Sequence, residues 1–197
     1  MYVKDEVITT TIIEKSEFIC YLNYCKDEES FRRYLQDIRK KHYDATHACF
    51  AFITKDAIRS SDDGEPAGTA GVPILNILQK NELENSCAVV VRYFGGIKLG
   101  AGGLIRAYGG AVSNALKNAT LAEDVAYPKY EISLGYDIAP KLDYFLRTKA
   151  ILLDCSYEEE VTFTFLSLDD KICDKVMEYT KGVAPKLIGE EIMEKVL

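Results

Sequence analysis

Residues 89–112 read VVVRYFGGIKLGAGGLIRAYGGAV, a stretch that predicts a buried strand, a tight loop and a helix in succession. The apolar run Cys87–Val91 is rich in β-branched residues, which favours a central strand. Five glycines then fall within Gly95–Gly103. After them, apolar side chains recur at helical spacing from Gly102 to about Ala119. A strand–loop–helix unit is therefore expected at the centre of the first part of the chain.

Shorter patterns before this unit predict the other elements of a mixed α and β domain. Residues 3–23 alternate as two strands would, and the run Ala48–Ile53 is expected to be a strand. One helix face is formed by Phe31, Tyr34, Leu35 and Ile38. A second helix is expected over Thr69–Gln79, with Pro73 tolerated in its first turn.

A change of pattern near Glu123–Pro128 predicts a boundary between two domains, residues 1–126 and 127–197. The second domain shows strand, helix, two strands, helix and strand, which is the βαββαβ order of ferredoxin-like folds. Asp169 and Asp170 stand where they would favour the positive end of its second helix. The predicted elements are the strand Tyr130–Tyr136, a helix around Leu142–Leu146, the strands Ile151–Tyr157 and Val161–Leu166, a helix around Ile172–Met177 and a last strand over about Pro185–Val196. The fold class expected for the chain is α+β.

Composition excludes several classes of protein. The chain has 197 residues, of which 48% are hydrophobic and 28% charged, which argues against disorder. Its longest apolar run, Ala48–Ile53, is far shorter than the roughly 20 residues of a membrane span. The six cysteines form no CxxC pair, so we expect reduced thiols in a cytoplasmic protein without a membrane partner.

A first candidate site lies in RSSDDGEPAGTAGVPIL, residues 59–75. Asp62, Asp63 and Glu65 cluster just before a predicted helix. One interpretation is a Mg²⁺ or acid–base site. A second is a polar turn that caps the helix, with Gly64 supplying a positive φ. A third is recognition of a partner.

A second candidate site is the glycine-rich stretch itself. No acidic residue occurs in residues 85–122, and amide groups at a helix start bind anions. Arg92, Lys98 and Arg106 could neutralise phosphates, while Tyr93 and Phe94 could stack on bases. The spacing is neither that of a Walker A loop nor GxGxxG. The alternative is a tight crossover whose glycines serve packing alone. His47 is expected to be structural, and no GxSxG elbow is present.

Together these stretches resemble the signature of the IMPACT/YigZ family. IEKSEFI at residues 13–19 and IRKKHYDATHACFAF at residues 38–52 fit the same family. The resemblance covers residues 1–125, and more loosely, by element order, the last 70. It implies an N-terminal α/β sandwich similar to domain four of elongation factor G, and a ferredoxin-like domain similar to domain five. Glu17 departs from the family, which usually has a basic residue there, so an RNA contact by that early loop is doubtful.

The family resemblance implies a cytoplasmic, translation-associated regulatory protein that binds RNA, the ribosome or a translation factor. The expected nucleic-acid or partner-binding residues are Asp62, Asp63, Glu65, Arg92, Tyr93, Phe94, Gly95, Gly96, Lys98, Gly100, Gly102, Gly103 and Arg106. No catalytic residue, metal ligand or cofactor is assigned, a binding role is favoured over an enzymatic one, and the oligomeric state is open. The alternatives are a metal-dependent phosphoester or nucleotide hydrolase that uses the DDGE loop, and a pure protein-interaction module.

Overall fold

A computed structural model describes residues 1–169 and 171–197, so that the expectation for Asp170 lies outside the described residues. The chain divides into two compact units, which are Met1–Glu123 with Val196–Leu197, and Asp124–Lys195. Both units mix helices with sheet, as the α+β expectation requires.

The first unit is built on a five-stranded antiparallel sheet. Its elements are β1 (Tyr2–Val3), β2 (Val7–Ile13), β3 (Ser16–Tyr24), α1 (Glu28–Lys41), β4 (His47–Ile53), β5 (Ile58–Ser61), α2 (Gly71–Lys80), β6 (Ser86–Tyr93) and α3 (Gly100–Leu116). The strand order is β2-β3-β6-β4-β5, with each pair of neighbours antiparallel. The predicted strand–loop–helix unit is therefore confirmed, with β6 at the centre of the sheet.

β6 is buried along nearly its whole length and is apolar on both sides, and helices cover both faces of this sheet. Ala88 and Val90 pack into the core that contains α2 and α3 residues. Val89 and Val91 pack into the core that contains the predicted apolar face of α1. Side chains alternate between the two faces of a strand. The packing of residues 88–91 therefore determines which face Arg92 and Tyr93 occupy at the end of β6.

The second unit confirms the ferredoxin-like prediction. Its elements are β7 (Leu121–Leu134), α4 (Ala139–Lys149), β8 (Ile151–Tyr157), β9 (Val161–Leu166), α5 (Ile172–Thr180) and β10 (Lys186–Val196). In its sheet β8 pairs with β9, β9 pairs with β7, and β10 also pairs with β7. Leu142, Leu146 and Val176 of the two helices share a core with Phe163 and Phe165 of β9. Residue 126, the predicted boundary, lies inside β7 and not in a loop.

Two short strands were not predicted from the sequence, the two-residue strand β1 and the edge strand β5. β5 pairs with β4 from Phe50↔Ser61 to Ile53↔Ile58, where residues 59–61 were expected to be loop. This short edge strand is mostly exposed, so it carries no alternation of apolar and polar side chains.

The cysteines form no disulfide among the described residues. Cys20, Cys25, Cys49 and Cys87 are buried, and Cys155 and Cys173 are half-buried. In the described part of the chain, no helix combines the length and the hydropathy needed to cross a bilayer.

Candidate functional site

The two motif stretches meet at one cavity of about 350 Å³ in the first unit. It is lined by Glu65, Pro66, Arg92, Phe94, Lys98, Leu99, Gly100, Ala101 and Leu104. One wall thus comes from residues 62–66, whose first four form the DDGE turn, and the other from the end of β6 and the start of α3. Spacing along the chain could not reveal this proximity, because Pro66 and Arg92 are 26 positions apart.

Arg92 is buried at this site. It follows Ala88 and Val90 on the same face of β6, so its side chain points toward α3 and is only 6% exposed. Its Nη1 donates to Glu65 Oε1 at 2.6 Å, and its Nη2 donates to Ser16 Oγ at 3.3 Å. Its buried Nε has no hydrogen-bond partner among the residues that the structure describes. The prediction that Arg92 is offered to a phosphate in solvent is therefore wrong, since an internal carboxylate already neutralises it.

Glu65 accepts hydrogen bonds from two elements and lies near His47 of a third. Beside Arg92, the Tyr108 hydroxyl donates to Oε1 at 2.7 Å. Oε2 stands 3.8 Å from His47 Nε2, beyond hydrogen-bond length. His47 Nδ1 donates to the Asp63 carbonyl at 2.8 Å. Burial, together with Cys49 and Glu65, raises the pKa of Tyr108 far above its usual value, so this hydroxyl stays a donor.

The Asp62 carboxylate caps the N-terminus of α2 and the turn that precedes it. Its carboxylate accepts the backbone N–H groups of Gly68, Ala70 and Gly71 at 2.8, 2.9 and 2.8 Å. Partial burial acts to raise the pKa of Asp62, but the three N–H donors outweigh it and leave that pKa below its usual value. Gly64 has φ 88°, as the turn-and-cap interpretation expected.

Asp63 is engaged as well. Its Oδ2 accepts from the backbone N–H of Ala48 at 2.7 Å, and its Oδ1 accepts from Arg39 Nη2 at 2.6 Å. All three acids of the DDGE turn therefore bind internal donors. Within residues 1–169 and 171–197, no three His, Cys, Asp or Glu side chains are grouped so that they could hold a metal ion. The hydrolase alternative loses the free carboxylates on which it depended.

Tyr93 and Phe94 lie on different sides of the sheet. The Tyr93 hydroxyl donates to Asp44 Oδ1 at 3.2 Å and lies 2.8 Å from His42 Nδ1, on the side covered by α1. Strand alternation turns Tyr93 to the side of the sheet opposite the cavity, so it does not lie where it could stack on a base bound there. Phe94 is 47% exposed, and its ring centroid lies 5.4 Å from Arg92 Cζ at the cavity.

The glycines of the loop serve two purposes. A Cβ at Gly95 would lie 2.0 Å from the Lys15 carbonyl carbon, so only glycine lets the loop pack on the turn between β2 and β3. Gly96 and Gly100 have φ 85° and 67°, which favour glycine. At Gly102 a Cβ would meet nothing within 4 Å. Gly103 is constrained by its own turn, where a Cβ would lie 2.9 Å from Leu99 Cβ.

No side-chain cap and no acidic side chain neutralises the N-terminus of α3. Its N-cap residue, Leu99, provides no side-chain hydrogen bond, and no acidic residue lies in the first turn. Lys98 and Arg106 are exposed, and neither has an acidic partner in the part of the chain that the structure describes. Gly102 and Arg106 are four residues apart, so they share a face of α3. We call Lys98, the amide groups of Gly100–Gly103 and Arg106 the cationic rim.

Several residues of the site were not predicted as binding residues. Pro66, Leu99 and Leu104 give the cavity its apolar walls. Ser16 and His47 contact the ion pair from β3 and β4. Pro66, Leu99 and Leu104 lie in a loop and at the start of α3, where no sequence pattern marked them as binding residues. Ser16 and His47 reach the ion pair because β3 and β4 both pair with β6.

Comparison with known proteins places these motifs in a wider group. A sequence model described as the Impact N-terminal domain matches residues 14–116. IMPACT family member YvyE of Bacillus subtilis is 46% identical over 156 residues, which cover 77% of this chain and 72% of the relative. IMPACT family member YigZ of Escherichia coli is 40% identical over 188 residues, covering 91% and 92% of the two chains. A crystal structure of a protein described as hypothetical matches with a TM-score of 0.61 at 30% identity, covering 98% of this chain and 95% of that one.

Proposed function

The chain belongs to the IMPACT family, and from that premise we propose that it is a cytoplasmic binding protein that recognises RNA at the translation apparatus through the cationic rim. The observation that carries this proposal is the uncapped start of α3 at an open cavity, with Lys98 in the cavity lining and Arg106 exposed further along the helix. Among the described residues neither cation has an acidic partner. Helix N-termini with uncovered amide groups attract phosphate oxygens.

Local charge supports an anionic ligand although the whole chain carries a net charge of −7. No acidic residue occurs between positions 85 and 122. With Arg92 neutralised inside the fold, Lys98 at the cavity and Arg106 further along α3 remain exposed to meet phosphates. The net negative charge of the protein repels RNA that binds without specificity. Binding therefore depends on the positive charge of the cationic rim.

The strength expected from two cations is small. Two phosphate contacts to a single strand give a slope of about −1.4 in a plot of log affinity against log salt. RNA that diffuses freely is therefore held weakly. RNA presented by a ribosome or a translation factor would add contacts, which agrees with a regulatory role in translation.

A titration of single-stranded RNA tests the proposal. The full-length protein binds a labelled 12-nucleotide RNA, with fluorescence anisotropy read at two salt concentrations. We expect Lys98→Ala/Arg106→Ala to weaken binding about tenfold at low salt and to flatten the salt dependence. The matched control is Lys55→Ala/Lys80→Ala, which removes two exposed lysines outside the site. Coincident curves for the rim variant and the wild type would overturn the proposal.

A protein-interaction module is the second candidate. Ile97 and Ile105 are 39% and 45% exposed beside the cationic rim, and such apolar side chains favour contact with a protein surface. Binding of the purified chain to ribosomes that is unchanged by ribonuclease but lost in Ile97→Ser/Ile105→Ser would favour this candidate over RNA.

A further inference from the structure

We infer that the cavity accepts one unpaired nucleotide of a single-stranded RNA, with the base against Phe94 and the phosphate at the cationic rim. This inference rests on the proposed function and names the form of RNA that the same site takes. Its support comes from the volume of the cavity, from the apolar side chains of its walls, from the polar atoms of Glu65 and Arg92 at its floor, and from the cationic rim.

The cavity has the size of a small-molecule site. Its volume of about 350 Å³ lies at the lower end of the ~300–1,000 Å³ of ligand pockets. That space suits one flat heterocycle with part of its sugar. A duplex keeps its bases stacked inside the helix and cannot fill such a cavity without extruding one of them.

The walls suit the face of a base. Phe94 is half exposed at the cavity, and the Arg92 guanidinium lies 5.4 Å from its ring centroid. Pro66, Leu99 and Leu104 complete an apolar lining. Aromatic side chains bind unpaired bases by stacking on their π faces, whichever base is present.

The floor offers polar groups that the fold leaves unused. Glu65 Oε1 accepts from Arg92 and Tyr108, but Oε2 lies 3.8 Å from its nearest ion-pair neighbour, His47. Within the described part of the chain, the Nε of Arg92 is without a partner although the side chain is more than nine-tenths buried. Buried polar atoms are normally paired, so the unpartnered Nε of Arg92, a residue that lines the cavity, points to a polar ligand. Every base presents N–H and acceptor groups on its edge.

The rim suits the phosphate of the same nucleotide. Lys98, Gly100 and Ala101 line the cavity, so the start of α3 lies beside the space for the base. The cavity therefore combines an apolar wall, a polar floor and a cationic edge, which is the polarity of a nucleotide.

An NMR titration of the ¹⁵N-labelled full-length protein tests the inference. The probes are AMP, CMP and ribose 5-phosphate, and the readout is the shift of the Gly100–Gly103 amide signals. We expect AMP and CMP to saturate these shifts, and ribose 5-phosphate to bind at least tenfold more weakly because it lacks a base. Phe94→Ala should weaken AMP binding about tenfold. The control Tyr43→Ala, which removes an aromatic side chain that is 86% exposed, should leave it unchanged.

A second measurement separates this inference from the proposed function. In the anisotropy assay, a 12-nucleotide single strand should bind at least tenfold more tightly than the matching duplex, and Phe94→Ala should remove that preference. Equal affinity of AMP and ribose 5-phosphate, or equal affinity of single strand and duplex, would overturn the inference. The proposed function would survive either result as long as Lys98→Ala/Arg106→Ala weakens RNA binding.

Discussion

Arg92 Nη1 lies 2.6 Å from Glu65 Oε1, and this buried ion pair joins the two motif stretches of the chain. The side chains are 6% and 4% exposed, so solvent screens the pair little. Since both groups lie at the cavity, the same contact that ties the DDGE turn to the central strand also shapes the floor of the candidate site.

We expect Arg92→Met to destabilise the fold by about 3–5 kcal/mol, because it leaves the Glu65 carboxylate buried without its cation. The double variant Glu65→Gln/Arg92→Met should cost less than the sum of the two single changes, because no charge then remains unpaired. Urea unfolding monitored by circular dichroism measures both. Arg32→Met, which removes a 74% exposed guanidinium, is the control. A loss for Arg92→Met no larger than that of the control would contradict the expectation.

Asp62→Ala should destabilise the first unit by about 2–4 kcal/mol, because three backbone N–H groups lose their acceptor. Asp56→Ala, in the exposed turn before β5, should change stability little. The pKa of Asp62 is lowered in the folded state from 3.8. Its charge therefore contributes stability that is present above the unfolded-state pKa and is lost as pH falls through the folded-state value. The stability difference between wild type and Asp62→Asn should shrink from about pH 5 to about pH 3; a constant gap would argue against this role.

Substitutions of two glycines in the same loop region should have opposite effects. Gly95→Ala places a Cβ 2.0 Å from the Lys15 carbonyl carbon, and we expect a loss of about 2–4 kcal/mol. Gly102→Ala meets nothing within 4 Å, and we expect a gain of about 0.5–1 kcal/mol because alanine restricts the unfolded chain. Thermal unfolding distinguishes the two, and a stable Gly95→Ala protein would show that the close approach to β2 and β3 is absent in solution.

His42 should titrate below its ordinary value. Burial lowers the pKa of His42, Lys41 adds to the effect, and Asp44 and Glu17 oppose it. Its Nε2 lies 2.6 Å from the Tyr21 hydroxyl. Because the folded-state pKa is depressed, neutral His42 contributes stability that is present above the unfolded-state pKa and is lost as pH falls through the folded-state value.

An NMR titration of the His42 ring proton should give a midpoint below 6.5. The unfolding free energy of the wild type should fall between about pH 7 and about pH 5, and His42→Gln should flatten that dependence. A midpoint above 6.5 would mean that Asp44 and Glu17 dominate the environment of the ring.

Sequence patterns predicted most elements because they depend on local chemistry. β8 and β9 have the bounds expected from their apolar runs, and α1 buries Phe31, Leu35 and Ile38 as its spacing indicated. β5 was missed because an exposed edge strand has no apolar alternation. The cap by Asp62 was one of three open interpretations, since a cluster of acids has the same composition whether it binds a cation or backbone amides.

The sequence by itself determined the family, the α+β class and the electrostatic character of the 85–122 stretch, because motifs, periodicity and charge are properties of neighbours along the chain. Only the tertiary structure decided which cations face solvent. Arg92 and Tyr93 are adjacent in sequence, but the pleat of β6 sends one toward Glu65 and the other toward Asp44. Burial beside an acid neutralises a charge that composition counts as free, and that pairing depends on which strands and turns the fold brings together.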